Sequence, residues 1–434
     1  MAEIKPFKGM RYQEGKVIDI SYVICPPYDV IDKKQEAILN KRSPYNYIRI
    51  EFPHPMDKDT EKDNKYSRTA ANLKDWVEKG VMAEEDEPVI YLHDHHFIYK
   101  GDKYKRRSII TAVKLEEWEN RVVMPHEDTL EAPKKDRINM LWWLQSNTSS
   151  VYSLYEDKDG KIRKMLGQND ALKPAICTDD GEGGHYEVRV IKDKAAINEL
   201  AVCFKEKQLY IADGHHRYES ALYYRNERLK CQPPIGKDHS ANYVMMELVA
   251  FDDKGLLVLP PHRLVSGVSD ANMKKLAGEL EKYFTVKEIL LDSENIWQQT
   301  EAFLKDDKMP RLVAYGLDRE KLQLLELKEN AANMIPPEHS DEYKTLDVSV
   351  IDHVILEGIM GYETAQAANV EFTYEISEAV NRVKNGQSQL AFVVKPLDPE
   401  IIKKIADKND RMPRKSTYFY PKMPSGLVLR SLKD

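Results

Sequence analysis

The sequence contains no long apolar run: nothing in its 434 residues approaches the ~20 consecutive apolar residues that a helix needs to span a bilayer. Its opening stretch, MAEIKPFKGMRYQEGK, is polar and lacks the apolar segment of a secretory signal. Cysteine is scarce. Cys25, Cys177, Cys203 and Cys231 lie scattered without C-x-x-C spacing, which argues against a disulfide framework and a zinc knuckle. Excess positive charge is also missing. With 65 Lys and Arg against 72 Asp and Glu, the formal net charge of −7 argues against a surface built mainly to neutralise nucleic-acid phosphates. No Walker A pattern occurs, so a P-loop mechanism is excluded. Low-complexity tracts, long blocks of like charge and internal repeats are absent too. What remains is an ordered globular chain, expected in a reducing cytoplasm and acting on small molecules rather than on membranes or nucleic acid. Its oligomeric state is not legible.

The chain is long enough for two or three packed units. Residues 1–150 are expected to form an α/β subdomain with a helix from about Tyr66 to Glu78. In it, PVIYLHDHHFIY and RRSIITAVKL alternate as two strands of a hairpin closed by KGDKYK. A seam of turn residues, DKDGK and TDDGEGGHYEVRVI, opens a central subdomain at 151–268. Strand, turn, helix and the strand ANYVMMELVAF follow, then a hairpin signal at Asp252-Asp253-Lys254-Gly255 and the strand LLVLPPHRLV. A third subdomain, 269–434, carries helices in ANMKKLAGELEKYF, LDVSVIDHVILEGIMG and EISEAVNRVKNG, the strand SQLAFVVKPL, and a loop-rich end with a basic loop. The fold class is mixed α/β, a composite of packed subdomains.

The strongest chemical signal is LYIADGHHRYESAL, residues 209–222. An apolar strand running through Asp213-Gly214-His215-His216 into a helix leaves the first backbone N–H groups of that helix facing outward, which makes an anion site. Gly214 lets a phosphate approach the backbone, and His215 and Arg217 add charge-assisted hydrogen bonds. Asp213 either caps the helix or acts on a substrate proton. The competing interpretation is purely structural, with packed histidines and Arg217 paired to a surface carboxylate.

Three further segments carry comparable chemistry. Pro125-His126-Glu127-Asp128-Thr129 offers Mg²⁺ ligands or a general base, or else a capping loop before the helix that contains Asp136 to Leu144. Rigid prolines precede polar side chains at Pro26-Pro27-Tyr28-Asp29 and Pro260-Pro261-His262-Arg263. Arg414 to Lys422, including Lys415, Ser416 and Thr417, could grip a phosphate or be a solvated loop. His93-Asp94-His95-His96 resembles a metal cluster, but on a strand His93 and His95 alternate with Asp94 and His96, so at most two share a face, and no third ligand lies nearby. Asp352-His353 is expected to be an internal hydrogen-bonded pair.

Taken in order, PFKGMRY, CPPYDVID, SPYNYIRIE, PHEDT with its downstream KKDR, LYIADGHHRYESAL, GLLVLPPHRLV, LDVSVIDHVIL and MPRKSTYFYPKMPSGLV resemble the bacterial and archaeal "domain of unknown function 1015" family. D-G-H-H-R is also similar to the strand-turn-helix signature of the ParB-like and sulfiredoxin-like superfamily, which includes free-serine kinases. That resemblance implies phosphate-binding positions at Gly214, His215, His216 and Arg217, with Ala221 as the small packing residue. It also implies an acidic base near the amino terminus, for which Asp29 and Glu127 are the options.

The expected function is phosphoryl transfer on a small hydroxyl compound such as serine, or on its phosphate ester, with a nucleotide and Mg²⁺ as cofactors. His216, Asp213, His126 or Glu127 would handle the proton, and Glu127 or Asp128 the metal. Gly214, His215, Arg217, His262, Arg263, Lys415, Ser416 and Thr417 would hold the phosphorylated ligand. The rival expectation is a nucleotide-binding switch with no second substrate; a purely structural protein comes third.

Overall fold

A computed structural model describes residues 1–180, 183–305, 309–364 and 368–433. Residues 181 and 182 of the expected TDDGEGG turn therefore lie outside the described residues. The chain divides into two compact units. Met1–Pro125, Thr129–Leu257 and Pro421–Asp434 form the first, and His126–Asp128 with Val258–Tyr420 form the second. The sequence seam at 150/151 falls inside the first unit, and that at 268/269 inside the second.

The first unit is built on a nine-stranded mixed sheet. Its strands are β1 (Ile4–Lys5), β2 (Ile90–Tyr99), β3 (Asp102–Lys114), β4 (Val123–Met124), β5 (Val151–Tyr155), β6 (Ile176–Asp179), β7 (His185–Ile191), β8 (Leu209–Asp213) and β9 (Tyr243–Ala250). They lie in the order β4-β8-β5-β9-β3-β2-β7-β6, with β1 paired to β3. The β2–β3 hairpin is tighter than KGDKYK suggested. Tyr99 pairs with Asp102, and only Lys100 and Gly101, at φ 50° and 88°, make the turn. Two positive φ values in a two-residue loop match the right-handed twist of the flanking strands.

Alternation along these strands sends side chains to two cores. Ile90, Leu92, Ile109, Val113, Met246 and Leu248 enter one, whereas Tyr91, Ile110, Ala112, Val188, Tyr243 and Met245 enter the other. A sheet covered on both faces needs apolar residues at both parities. Helices α1 (Glu131–Leu144) and α2 (His215–Lys230) also belong to this unit. A small four-stranded sheet places Leu429–Ser431 between Gly9–Tyr12 and Ser146–Asn147.

The second unit carries a six-stranded antiparallel sheet of β10 (His262–Ser266), β11 (Phe284–Leu290), β12 (Arg311–Tyr315), β13 (Lys321–Leu327), β14 (Asn369–Thr373) and β15 (Leu390–Val393). The strand order is β11-β13-β12-β15-β10-β14. Leu264, Val313, Leu322, Ala391 and Val393 pack with Ile296, Leu304, Ala379 and Val380 from two helices in one core.

Three expectations need correction. The Asp252–Gly255 turn does not return a strand to β9. The chain crosses there to the second unit, and LLVLPPHRLV breaks at Pro260-Pro261 into Leu257–Leu259 and His262–Ser266, because proline supplies no ladder N–H. The chain after SQLAFVVKPL is not all loop. A helix spans Pro399–Asp407, with Asp398 capping Glu400 N–H and proline in the first turn. His215 and His216 lie in the first turn of α2, so Gly214 alone connects strand to helix.

Candidate functional site

Gly214 has φ +94°, a conformation that glycine adopts without penalty. A Cβ at this position would stand 2.8 Å from Arg217 Nε. The side of Gly214 on which a Cβ would stand is thus taken by the chain's own guanidinium. Gly214 holds the N-cap position of α2 and has no side chain with which to cap it.

Asp213 instead anchors a charge cluster. Its Oδ2 accepts from Arg217 Nη2 at 2.5 Å, and its Oδ1 accepts from Lys422 Nζ. Lys422 also lies 3.7 Å from Asp29 Oδ2. Arg217 donates its other terminal nitrogen to Ser150 O, and its Nε is buried without a hydrogen-bond partner. Only 13% of the Arg217 side chain is exposed, so it is a locked internal group rather than a free surface fork. Burial alone would raise the Asp213 carboxyl, but Lys422 and Arg217 outweigh it and hold the group far below the usual carboxylate range. Such a group stays ionised near neutral pH and is a poor proton acceptor. Beside it, burial pushes Tyr28 up to about 12, against the opposing effect of Arg137, whose guanidinium lies 4.2 Å from the Tyr28 ring centroid.

The two histidines have separate places. His215 is buried, and its charge contributes to lowering Asp213. His216 Nε2 accepts the Leu130 N–H at 2.9 Å, at the amino end of α1. Thr129 donates to Glu219, and Ser220 donates to Lys134 O at 3.1 Å, so one face of α2 holds the start of α1. With its lone pair committed to Leu130, His216 positions α1 and is not placed to receive a proton. Ala221 is buried in the core, as a small packing residue should be.

A second polar group was visible in the sequence only through Asp213 and the His93–His95 pair. Asp213 lies opposite Tyr152, Tyr152 opposite Glu247, and Glu247 accepts from Ser108 Oγ at 2.5 Å. Ser108 in turn lies opposite His93, and His95 is flanked by Arg106 and Tyr186. The row thus crosses the sheet from β8 to β7, through residues far apart in sequence. His93 Nδ1 and Glu247 Oε1 are 2.7 Å apart, and Arg106 Nη2 lies 3.2 Å from His95 Nδ1. His93 Nδ1 therefore donates to Glu247, and Arg106 donates to a bare Nδ1 on His95. Both Nε2 atoms are buried without a hydrogen-bond partner, the one on His93 an acceptor and the one on His95 a donor. On the other face Asp94 pairs with Arg107, Arg189 and Lys105, as the alternation predicted.

Burial, reinforced by Arg106, pushes His95 far below the usual imidazole range. Its folded pKa is depressed, so the unfolded chain binds the extra proton once the pH drops below ~6.5. The resulting destabilisation is absent above that pH and grows by about 1.4 kcal/mol for each unit below it. Unfolding midpoints of wild type and His95→Gln measured between about pH 7.5 and about 5 should diverge in slope. Parallel curves would remove His95 as the source of acid sensitivity.

The remaining predicted residues belong to the second unit. There His126 is buried, with Nε2 3.1 Å from Thr417 Oγ1, and its carbonyl accepts Met412 N–H at 2.8 Å. Asp128 is exposed and 3.8 Å from Arg411, and Glu127 is half-buried. Lys415 is exposed at φ 56°, whereas Ser416 is buried and donates to Pro413 O. His262 and Arg263 are both buried. Arg263 is 3.4 Å from Asp352, donates to Pro261 O at 3.2 Å and lies against the Phe372 ring. His353 pairs with Glu357 and Tyr343 rather than with Asp352. Arg263 is thereby committed to the interior of its own unit. The segment Val350–Ile359 is a wide-turned helix, with Met360 N–H reaching Ile355 O at 2.9 Å.

Lys422, Glu247 and the His93–His95 pair were the residues that the sequence interpretation undervalued. Lys422 stood inside the basic loop run, but its partner Asp213 is 209 positions away.

No curated protein matches the chain. Among solved structures, a conserved hypothetical protein from Pyrococcus furiosus is 12% identical, with 74% of this chain and 95% of that one covered and a TM-score of 0.34. A free serine kinase variant in complex with ADP is 11% identical, with 74% and 92% covered and a TM-score of 0.35. SbnI with a C-terminal truncation, from Staphylococcus aureus, is 10% identical, with 75% and 89% covered and a TM-score of 0.36. The family described as "Protein of unknown function (DUF1015)" matches residues 4–349, and the chain belongs to that family.

Proposed function

We propose that the first unit binds a phosphate-bearing small molecule at the amino end of α2, and that the protein transfers a phosphoryl group between a nucleotide and a small hydroxyl compound. Serine and phosphoserine are the substrates to test first. The observation that carries this proposal is the convergence of Lys422 and Arg217 on Asp213 beside the glycine-led amino end of α2. The helix dipole and the two cations favour an incoming phosphate, with Lys422 close enough to Asp29 and Asp213 to be held in place. Asp213, kept ionised, serves to hold the cations. Asp29, the second carboxylate beside Lys422, is assigned the hydroxyl proton. In the kinase direction the substrate oxygen bonds to the terminal phosphorus as the bond to the bridging oxygen breaks and the nucleoside diphosphate leaves.

The test incubates the full chain with nucleotide and serine, or with phosphoserine alone, with and without Mg²⁺, and follows phosphorus NMR. Phosphoserine formed from serine, or phosphate released from phosphoserine, supports the proposal. Nucleotide hydrolysis without an acceptor product would favour a nucleotide switch instead. Lys422→Met should weaken nucleotide or phosphoserine binding by about tenfold or more in calorimetry, the loss of one charge-assisted contact. Unchanged affinity would remove this cluster from the site.

A further inference from the structure

Strands β6 and β7 end the nine-stranded sheet, and their outer face carries a group of side chains that the proposed phosphate chemistry does not use. Cys177 on β6 lies directly opposite Glu187 on β7, and His185 stands two residues earlier on the same face, opposite Asp179. The His185 Nε2 atom is 3.7 Å from Cys177 Sγ and 3.7 Å from Glu187 Oε1. All three ligand atoms fall within 4.8 Å of one another. We infer that Cys177, His185 and Glu187 form a binding site for a borderline-soft divalent cation, Zn²⁺ by preference, that clasps β6 to β7.

The distances suit such an ion. Zinc sits ~2.3 Å from a thiolate sulfur and ~2.0 Å from an imidazole nitrogen, so at a near-tetrahedral angle those two atoms lie roughly 3.5 Å apart. Two of the ligands are also oriented by neighbours. His185 Nδ1 lies 2.5 Å from Asp179 Oδ1, so Asp179 accepts the Nδ1 proton and the Nε2 lone pair faces the other two ligands. This carboxylate–histidine arrangement fixes the ring of many zinc-bound histidines. Arg189 Nη2 takes Glu187 Oε2 at 2.7 Å and leaves Oε1 facing His185. The thiol is exposed and reachable, and strand backbones hold the ligands in register. Thiolate, imidazole and carboxylate together select zinc-like ions over Mg²⁺ or Ca²⁺, which take oxygen ligands. Three protein ligands leave a fourth position for water.

The test uses the full chain freed of metal by chelation, titrated with Zn²⁺ in calorimetry and with Co²⁺ in absorption. One equivalent of Co²⁺ should bind with a thiolate-to-metal charge-transfer band in the near ultraviolet. Cys177→Ser should abolish that band, and Cys231→Ser, at the other exposed cysteine, should leave it unchanged. Asp179→Asn should weaken Zn²⁺ binding about 10-fold to 100-fold, as loss of a carboxylate behind a ligating histidine does. Saturating Zn²⁺ should also protect Cys177, but not Cys231, from alkylation. A band that survives Cys177→Ser, Zn²⁺ affinity indifferent to both variants, or no saturable binding would overturn the site and leave a plain hydrogen-bonded cluster. Circular dichroism of the metal-free variants separates misfolding from ligand loss. None of these outcomes bears on the phosphate cluster at Asp213.

Discussion

Asp213→Ala should destabilise the first unit by about 3 kcal/mol, the low end of the loss when a buried ion pair is stripped of one partner. The cost comes less from the missing bonds than from Lys422 and Arg217, which are left facing each other with only 13% of either side chain exposed. Urea unfolding should show the midpoint falling at unchanged slope. The pH dependence supplies a second signature. Because the folded carboxyl is held below its unfolded value, its stabilisation is complete above ~3.9 and is lost as the pH falls towards the folded value. Wild type and variant should therefore converge in acid, in a window below the one set by His95. A loss under about 1 kcal/mol, the scale of an exposed pair, would mean that the cluster is solvated and no anchor.

Gly214→Ala is the second large effect. Alanine at φ +94° costs roughly 1–2 kcal/mol from the backbone alone. Its Cβ would also meet the Arg217 guanidinium and displace it from Asp213 and Ser150, adding about 1–3 kcal/mol. If that displacement is the mechanism, Gly214→Ala and Arg217→Ala should not add. The double variant should be more stable than the sum of the two by at least ~0.5 kcal/mol. Strict additivity would leave only the backbone penalty. The same variant should lose phosphate-ligand affinity in step with Lys422→Met, since both disturb one charge cluster.

The strand-turn-helix at 209–230 was legible because hydrophobic spacing changes there from that of a strand to that of a helix, with a glycine between. The β2–β3 hairpin was legible because its two runs alternate and Lys100-Gly101 punctuates them. The row from Asp213 to His95 was not. It depends on five strands of which only β2 and β3 are neighbours both in sequence and in the sheet, and a one-residue slip would have sent Glu247 or Ser108 to the opposite face. The partner of His93 was out of reach for the same reason, because Glu247 lies 154 positions away. Arg217 was legible as a residue of interest but not as a buried one, since no spacing rule foretells that Lys422 and Ser150 meet it through Asp213 and directly.

The two-part contact pattern sets a schedule for synthesis. Pro421–Asp434 belongs to the first unit, yet a ribosome makes it only after the whole of Val258–Tyr420. Until then Asp213 lacks Lys422, and the small sheet lacks its Leu429–Ser431 strand, whose Arg430 reaches Asn147 and the Tyr243 carbonyl. At ~5–20 residues per second the nascent first unit must wait roughly ten to thirty seconds with that slot open. Its early-made strands therefore spend translation as a half-closed clasp, and the stretch that carries Lys422 is also the one that shuts it.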